Sequence, residues 1–222
     1  MLKEVHATVP WQGRDYPAAD GINVLMEVIA NPATDPLVRA NALGKLGRLA
    51  SWLPNTNRIP ELIALYDTLR ERGEKGELLL TLMYSDDPRT LPLFVKVLDK
   101  EQDNTLRLLA AHGLAKWNVR RGVVELLPLF ECTEPLGLRT VRDGVAGTFR
   151  GLNRRKGWGC PEEEIGKSME SRPDLDEDQR RGLYIAEVKK WFEENKHRFP
   201  DWKPGDPLPK VPAPDTKKST GE

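Results

Sequence analysis

Apolar residues recur in this chain at a fixed offset. Ile59, Leu62, Ile63 and Tyr66 return 32 residues later as Leu91, Phe94, Val95 and Leu98, and 32 later again as Val123, Leu126, Leu127 and Phe130. Each set has the i, i+3, i+4, i+7 spacing that lines one face of a helix. A second element lies between them: Asp35-x3-Arg39, Glu71-x3-Lys75, Asp103-x3-Arg107 and a degenerate Pro135-x3-Arg139, at intervals of 36, 32 and 32. A period near 32 with two helices per unit implies a helical solenoid, in which each unit buries its apolar face only against its neighbours. The expected fold is therefore all-α, an α–α superhelix of about four helix pairs closed by a helical C-terminal cap.

Punctuation along the chain divides it into four parts. Residues 1–19 are polar, contain Pro10, Gly13 and Pro17, and read as an irregular lead-in with Trp11 packing on the first helix. Residues 20–152 hold the repeats. Asp35-Pro36 and Asp87-Pro88 each place an N-capping carboxylate before a proline at the first helical position. Residues 153–199 read as a basic, glycine-containing loop (NRRKGWGC), a short acidic helix over 161–170, and a helix capped by Asp176 with Leu183, Ala186, Val188, Trp191 and Phe192 inward. From Pro200 the chain carries six prolines among Lys, Asp, Ser and Gly, the composition of a disordered tail over 200–222. Glycines inside the second helices (Gly44, Gly47, Gly76, Gly113, Gly144, Gly147) cost about 1 kcal/mol each relative to alanine, so they mark places where one helix must approach another closely.

The stretches DPRTLPLFVKVLDKEQDNTLRLLAAHGLAKW (87–117) and DPLVRANALGKLGRLA (35–50) resemble HEAT repeats, in particular the short repeats of phycobilin-lyase-like proteins. The resemblance spans residues 20–152. It implies an armadillo-like superhelix and says little about activity, because the family includes scaffolds, adaptors, lyases and a few enzymes. By that resemblance Asp35, Arg39, Glu71, Lys75, Asp103 and Arg107 form a ladder linking adjacent units. Taken from the spacing alone, they are acid–base pairs at i, i+4, each worth about 0.2–0.5 kcal/mol, with the acid also favoured at a helix N-terminus.

Two charged segments stand out. Residues 138–156 hold Arg139, Arg142, Arg150, Arg154, Arg155 and Lys156 against Asp143 alone, and Trp158 follows. Phosphate contact and base stacking are both within the chemistry of such a segment. Residues 162–178 are the mirror image, with eight carboxylates against Lys167 and Arg172. The plainest expectation is that the two segments neutralise each other. A nucleic-acid binder should instead align Arg120, Arg142, Arg150 and Arg154 on one concave face. Some HEAT-like DNA glycosylases have about this length, and Trp117 beside Arg120 and Arg121 is the nearest echo of their site. Trp117, however, continues the Leu106, Leu109, Leu114 stripe and reads as core.

Composition narrows the rest. The 34 basic and 34 acidic residues cancel, so no global field draws the chain to nucleic acid or an anionic membrane. No run approaches the roughly 18 apolar residues of a membrane span, and no apolar leader core is visible, which makes a cytoplasmic protein the expectation. Cys132 and Cys160 give no disulfide framework; the first reads as partly buried, the second as an exposed loop thiol. His6, His112 and His197 are scattered, without an HExxH or a Cys/His cluster, so neither metal nor cofactor is expected. His112, among Ala110, Ala111 and Gly113, reads as half-buried or facing a groove. The function these observations favour is non-catalytic: a scaffold or adaptor binding a protein or peptide on the concave face, with the arginines of 139–155 meeting an acidic stretch. A nucleic-acid-binding or base-excising protein is the alternative.

Overall fold

The polypeptide is described by a computed structural model over residues 8–11, 14–137 and 139–207. It is helical throughout, apart from two short β-hairpins. The chain forms two compact units, Met1–Glu101 and Gln102–Glu222.

The first unit opens with a hairpin of β1 (Thr8–Trp11) and β2 (Arg14–Pro17), in register from Thr8 opposite Pro17 to Trp11 opposite Arg14. This replaces the irregular lead-in expected from the sequence; the side chain of Trp11 lies outside the description. Then follow α1 (Ala18–Ala30), α2 (Pro36–Gly47), a 3-10 segment (Ala50–Asn55), α3 (Ile59–Leu65), α4 (Arg72–Tyr84), a short 3-10 turn (Pro88–Thr90) and α5 (Leu91–Lys100). Asp35 starts α2 by accepting hydrogen bonds from the Leu37 and Val38 amides, with Pro36 in the first turn, where its missing N–H costs nothing. Helices α1 and α2 pack together, and α2 packs against α4. That contact is close: a Cβ on Gly44 would lie 3.1 Å from a Glu77 carboxylate oxygen, and one on Gly47 would lie 3.2 Å from the Thr81 hydroxyl.

The second unit begins with α6 (Asn104–Lys116), capped by Asp103 through the Thr105 and Leu106 amides, and α7 (Arg120–Leu129). Where the degenerate Pro135-x3-Arg139 element of the repeat falls, the chain forms a second hairpin, β3 (Pro135–Leu136) with β4 (Arg139–Thr140). Gly137 takes φ +60° in its turn, and helix initiation waits for Thr140. There the Thr140 hydroxyl accepts from the Asp143 amide, and the Thr140 amide donates back to the Asp143 carboxylate, a reciprocal cap that opens α8 (Val141–Lys156). The basic loop expected at 153 is therefore still helix through Lys156, and it ends at Gly157 in the left-handed conformation. Next come α9 (Glu162–Glu170), α10 (Glu177–Asn195), which Asp176 caps as expected, and a 3-10 turn (Lys196–Arg198). Along α10, Ile185, Val188, Trp191 and Phe192 are buried, whereas Leu183 and Ala186, expected inward, are exposed. Residues 200–207, expected to begin the disordered tail, hold a fixed place: the Pro200 carbonyl accepts from the Arg120 amide and Trp202 is buried. The remainder of the expected tail, 208–222, lies outside the described residues.

The repeat is visible residue by residue. In all three apolar sets the i, i+3 and i+7 residues are buried (Ile59, Leu62, Tyr66; Leu91, Phe94, Leu98; Val123, Leu126, Phe130), while the i+4 residue (Ile63, Val95, Leu127) is half-buried. A second recurrence escapes the apolar pattern. Asn57, Asp86, Asn118 and Gly157 all have φ between 54° and 61°, and each closes the helical segment of α2, α4, α6 or α8. Only Gly, Asn and Asp visit that conformation readily, which is why those residue types recur at these four turns.

Several ladder residues engage groups beyond their own helix. Asp35 and Asp103 cap their helices, and the Arg39 and Lys75 cations reach onward within the first unit. Arg39 Nη1 lies 3.0 Å from Glu74 of α4, with both side chains largely buried. Lys75 Nζ lies 2.8 Å from Glu101, which also accepts from the Tyr66 hydroxyl. In the second unit Arg107 pairs with Glu125 of α7. The long side chains thus reach carboxylates on later parts of the chain, where partial burial strengthens the charge-assisted hydrogen bond.

The tightest approach is α6 on α7. A Cβ on Gly122 would fall 2.3 Å from the Ala115 backbone nitrogen and 2.7 Å from the Ala111 carbonyl oxygen. Backbone cannot yield as a side-chain tip can, so Gly122→Ala should destabilise the second unit by about 3 kcal/mol. Gly147→Ala, on α8 with nothing within 4 Å, should instead gain about 1 kcal/mol of helix propensity. Denaturant unfolding of the two variants checks both signs.

Candidate functional site

Helix α8 carries most of the basic segment, and its periodicity decides where each cation goes. Val141, Val145, Phe149 and Leu152 form the buried face. At about 100° per residue, Arg142 and, further round, Arg150 fall on one side of that face, Arg154 opposite it and Arg155 on the other flank. The six sequence candidates therefore do not make one patch. Arg139 stands in β4 with its side chain outside the description. Arg142 is half-buried, its Nε enclosed without a hydrogen-bond partner. Lys156 is half-buried in the last turn, whereas Arg154 and Arg155 are exposed.

The first flank faces α9. Arg150 Nε lies 3.9 Å from Glu162 Oε2, the arginine 58% exposed and the carboxylate side chain only 9%. Burial pushes the Glu162 carboxyl above its ordinary range, and the fields of Arg150 and Arg154 oppose this. The expected mutual neutralisation of the two charged segments is thus realised at one contact. Further along the acidic segment the pairs are local: Arg172 with Asp174, and Arg181 with Glu177 and Asp178.

Trp158, offered by the sequence as a stacking platform, is core. Its indole N–H donates to Asn118 Oδ1 at 2.8 Å, and its ring meets Phe149 and Phe199 edge to face at 5.5 and 5.3 Å. Cys160 is buried as well, contrary to the exposed thiol expected. Burial, with Glu162 and Glu164 adding repulsion, pushes its thiol up to about 12, so it stays protonated at neutral pH. Arg120 is engaged by the C-terminal segment: its side chain donates to the carbonyls of Lys196 and Phe199 and pairs with Asp201. Arg120 and Arg121 therefore do not join Arg142, Arg150 and Arg154 on one open face. Trp117 is half-buried at the end of α6.

The second flank faces α6 and gathers residues the sequence left apart. His112 Nδ1 lies 3.3 Å from the Thr148 hydroxyl. Burial, with repulsion from Arg155 and Lys116, pushes the imidazole down to about 4, so it is neutral at pH 7. Arg155 Nε donates to the Gly151 carbonyl at 3.1 Å, which holds the guanidinium along the helix. Gly147, just before Thr148, is exposed, with nothing within 4 Å of where a Cβ would stand. This flank of α8 thus presents a hydroxyl and a neutral imidazole, an exposed arginine two turns on, and open backbone at Gly147. Thr148 and Gly151 were not among the sequence candidates. The usable signal was the interval of 36 from His112 to Thr148, the same interval that separates Asp35 from Glu71.

Among the described residues no group of three or more His, Cys, Asp or Glu is placed to hold a metal ion, and no helix is long and apolar enough to cross a membrane. Compared with protein-family models, with curated proteins and with solved structures, the chain matches none.

The His112 environment has a measurable consequence. Its folded imidazole titrates near 4 and the unfolded one near 6.5, so between those values the unfolded chain binds the extra proton. Stability should therefore fall as the pH drops through that window, by on the order of 3 kcal/mol from this residue. Urea unfolding at pH 7 and pH 4.5 should show a smaller acid-side loss for His112→Gln than for the parent chain.

Proposed function

We propose that this chain is a non-catalytic helical-repeat scaffold or adaptor, a HEAT-like α–α superhelix, and that the α6–α8 face of its second unit binds an acidic peptide segment of a partner protein. The observation that carries this reading is the flank of α8 toward α6: the exposed Arg155, held along the helix at Gly151, with the His112–Thr148 pair two turns earlier on the same flank and exposed backbone at Gly147 next to it. A peptide carboxylate entering there meets a guanidinium whose fork can take both oxygens. Thr148 and the neutral imidazole add hydrogen bonds that carry no charge to repel or attract. Glycine lets the ligand chain come close to the helix backbone. The recurrence of burial and of left-handed turns through Gly157 supports the repeat architecture behind the reading.

The nucleic-acid alternative needs Arg120, Arg142, Arg150 and Arg154 along one face and an aromatic open for stacking. Trp158 is buried, Arg120 holds the C-terminal segment and Arg150 leans on Glu162, all of which favour the peptide. A cytoplasmic setting and the absence of a cofactor belong to the same proposal.

Anisotropy of a labelled oligoglutamate peptide, and of single-stranded DNA and RNA of similar charge, across a salt series tests the proposal. The peptide should bind, weaken as salt rises, and lose about tenfold in affinity with Arg155→Ala, a loss of about 1.4 kcal/mol. Thr148→Val should weaken it further. Peptide binding that Arg155→Ala leaves unchanged overturns the assignment, and preferential binding of DNA or RNA transfers it to the alternative.

A further inference from the structure

Among the described residues of the first unit, several enclosed carboxylates have partners. Glu74 holds Arg39, Asp87 holds Arg89, and Glu101 holds Lys75 together with the Tyr66 hydroxyl. Glu77 is also partly enclosed, yet its side chain makes no ion pair or hydrogen bond among the described residues. It lies against α2 where Gly44 has no side chain, with one carboxylate oxygen 3.1 Å from the position a Cβ would take. Burial pushes its carboxyl above the ordinary range, and no cation offsets that. A desolvated carboxylate without a counter-ion is unfavourable in the isolated molecule and becomes favourable once a cation arrives.

The same face of α4 continues with apolar surface. Leu80 follows Glu77 at i+3 and is half-buried; Tyr84 follows at i+7 and is 52% exposed, one of the few large side chains of this unit left open. Seven residues of helix rise about 10.5 Å, the span of roughly three residues of extended chain. We propose that the Glu77–Leu80–Tyr84 face of α4 docks a partner segment bearing an arginine and, about three residues along, an apolar side chain, the guanidinium pairing with Glu77 and the apolar group covering Leu80 and Tyr84. Charge complementarity fixes the first half of that pattern and the exposed tyrosine fixes the second. Arginine suits the site because its weakly hydrated planar fork loses less than an ammonium on entering a partly enclosed carboxylate site. The site uses residues of the first unit alone and does not depend on the acidic-peptide reading of α8.

The test uses the full chain and three short peptides in Gly/Ser sequence: Arg and Leu three residues apart, the same peptide with citrulline for Arg, and one with Arg and Leu adjacent. Amide chemical-shift titration should show the first peptide binding at α4, with the citrulline and adjacent-spacing peptides about tenfold weaker. Glu77→Gln should remove the arginine preference while leaving citrulline binding unchanged, and Tyr84→Ala should weaken both. In thermal unfolding at pH 7, Glu77→Gln should match or exceed the parent chain, because it removes an uncompensated charge. Equal binding of the arginine and citrulline peptides, no binding of any, or a marked loss of stability in Glu77→Gln would each overturn the proposal.

Discussion

The second unit is organised around the turn between α6 and α7. Asn118 sits there in a left-handed conformation, almost fully buried, and its side-chain oxygen accepts the indole N–H of Trp158 from beyond the end of α8. Two residues on, the Arg120 amide donates to the Pro200 carbonyl, so one turn fixes both the exit of α8 and the returning C-terminal segment. Arg198 completes the link by donating to the Trp158 carbonyl at 2.7 Å. Phe149, Trp158, Trp191 and Phe199 then pack edge to face across those elements. A buried indole without its acceptor would cost about 1–3 kcal/mol, so the Asn118 side chain serves as both turn-former and core partner.

Charge is distributed by the same economy of partners. Carboxylates at helix starts are consumed by backbone amides, as at Asp35, Asp103 and Asp176. Long cations leave their own helix and find carboxylates on later ones, as Arg39 finds Glu74. Among the charged side chains left half-buried or exposed are Glu77 on α4 and Arg155 on one flank of α8. A chain with no net charge can thus still present local charges of opposite sign, an exposed guanidinium on α8 and a partly enclosed carboxylate on α4.

The helical fold was legible because burial follows the period that the apolar residues announce. Ile59, Leu91 and Val123 begin matching faces, and the structure buries them in matching ways. What misled the reading was local. Arg154, Arg155 and Lys156 looked like loop because Gly157 and Gly159 follow, yet α8 runs to its left-handed glycine cap. Pro135 and Gly137 look like helix punctuation and instead make a hairpin. The site was less legible than the fold, because composition places six cations in one segment but only the helical phase shows that they diverge. Trp158 had no neighbour in sequence to reveal that its partners, Asn118 and Phe199, lie about 40 residues away on either side.

The gathering of indoles in one unit has an optical consequence. Of the six tryptophans, Trp158, Trp191 and Trp202 are buried in the second unit and Trp117 is half-buried there, whereas the first unit contributes Trp52 and Trp11. Intrinsic fluorescence therefore reports chiefly on the second unit, and backbone circular dichroism on both. If the two units melt separately, emission and ellipticity will trace different transitions on one sample; if they coincide, the chain unfolds as a single cooperative body. The protein thus carries its own internal probe of whether cooperativity extends from one unit to the other.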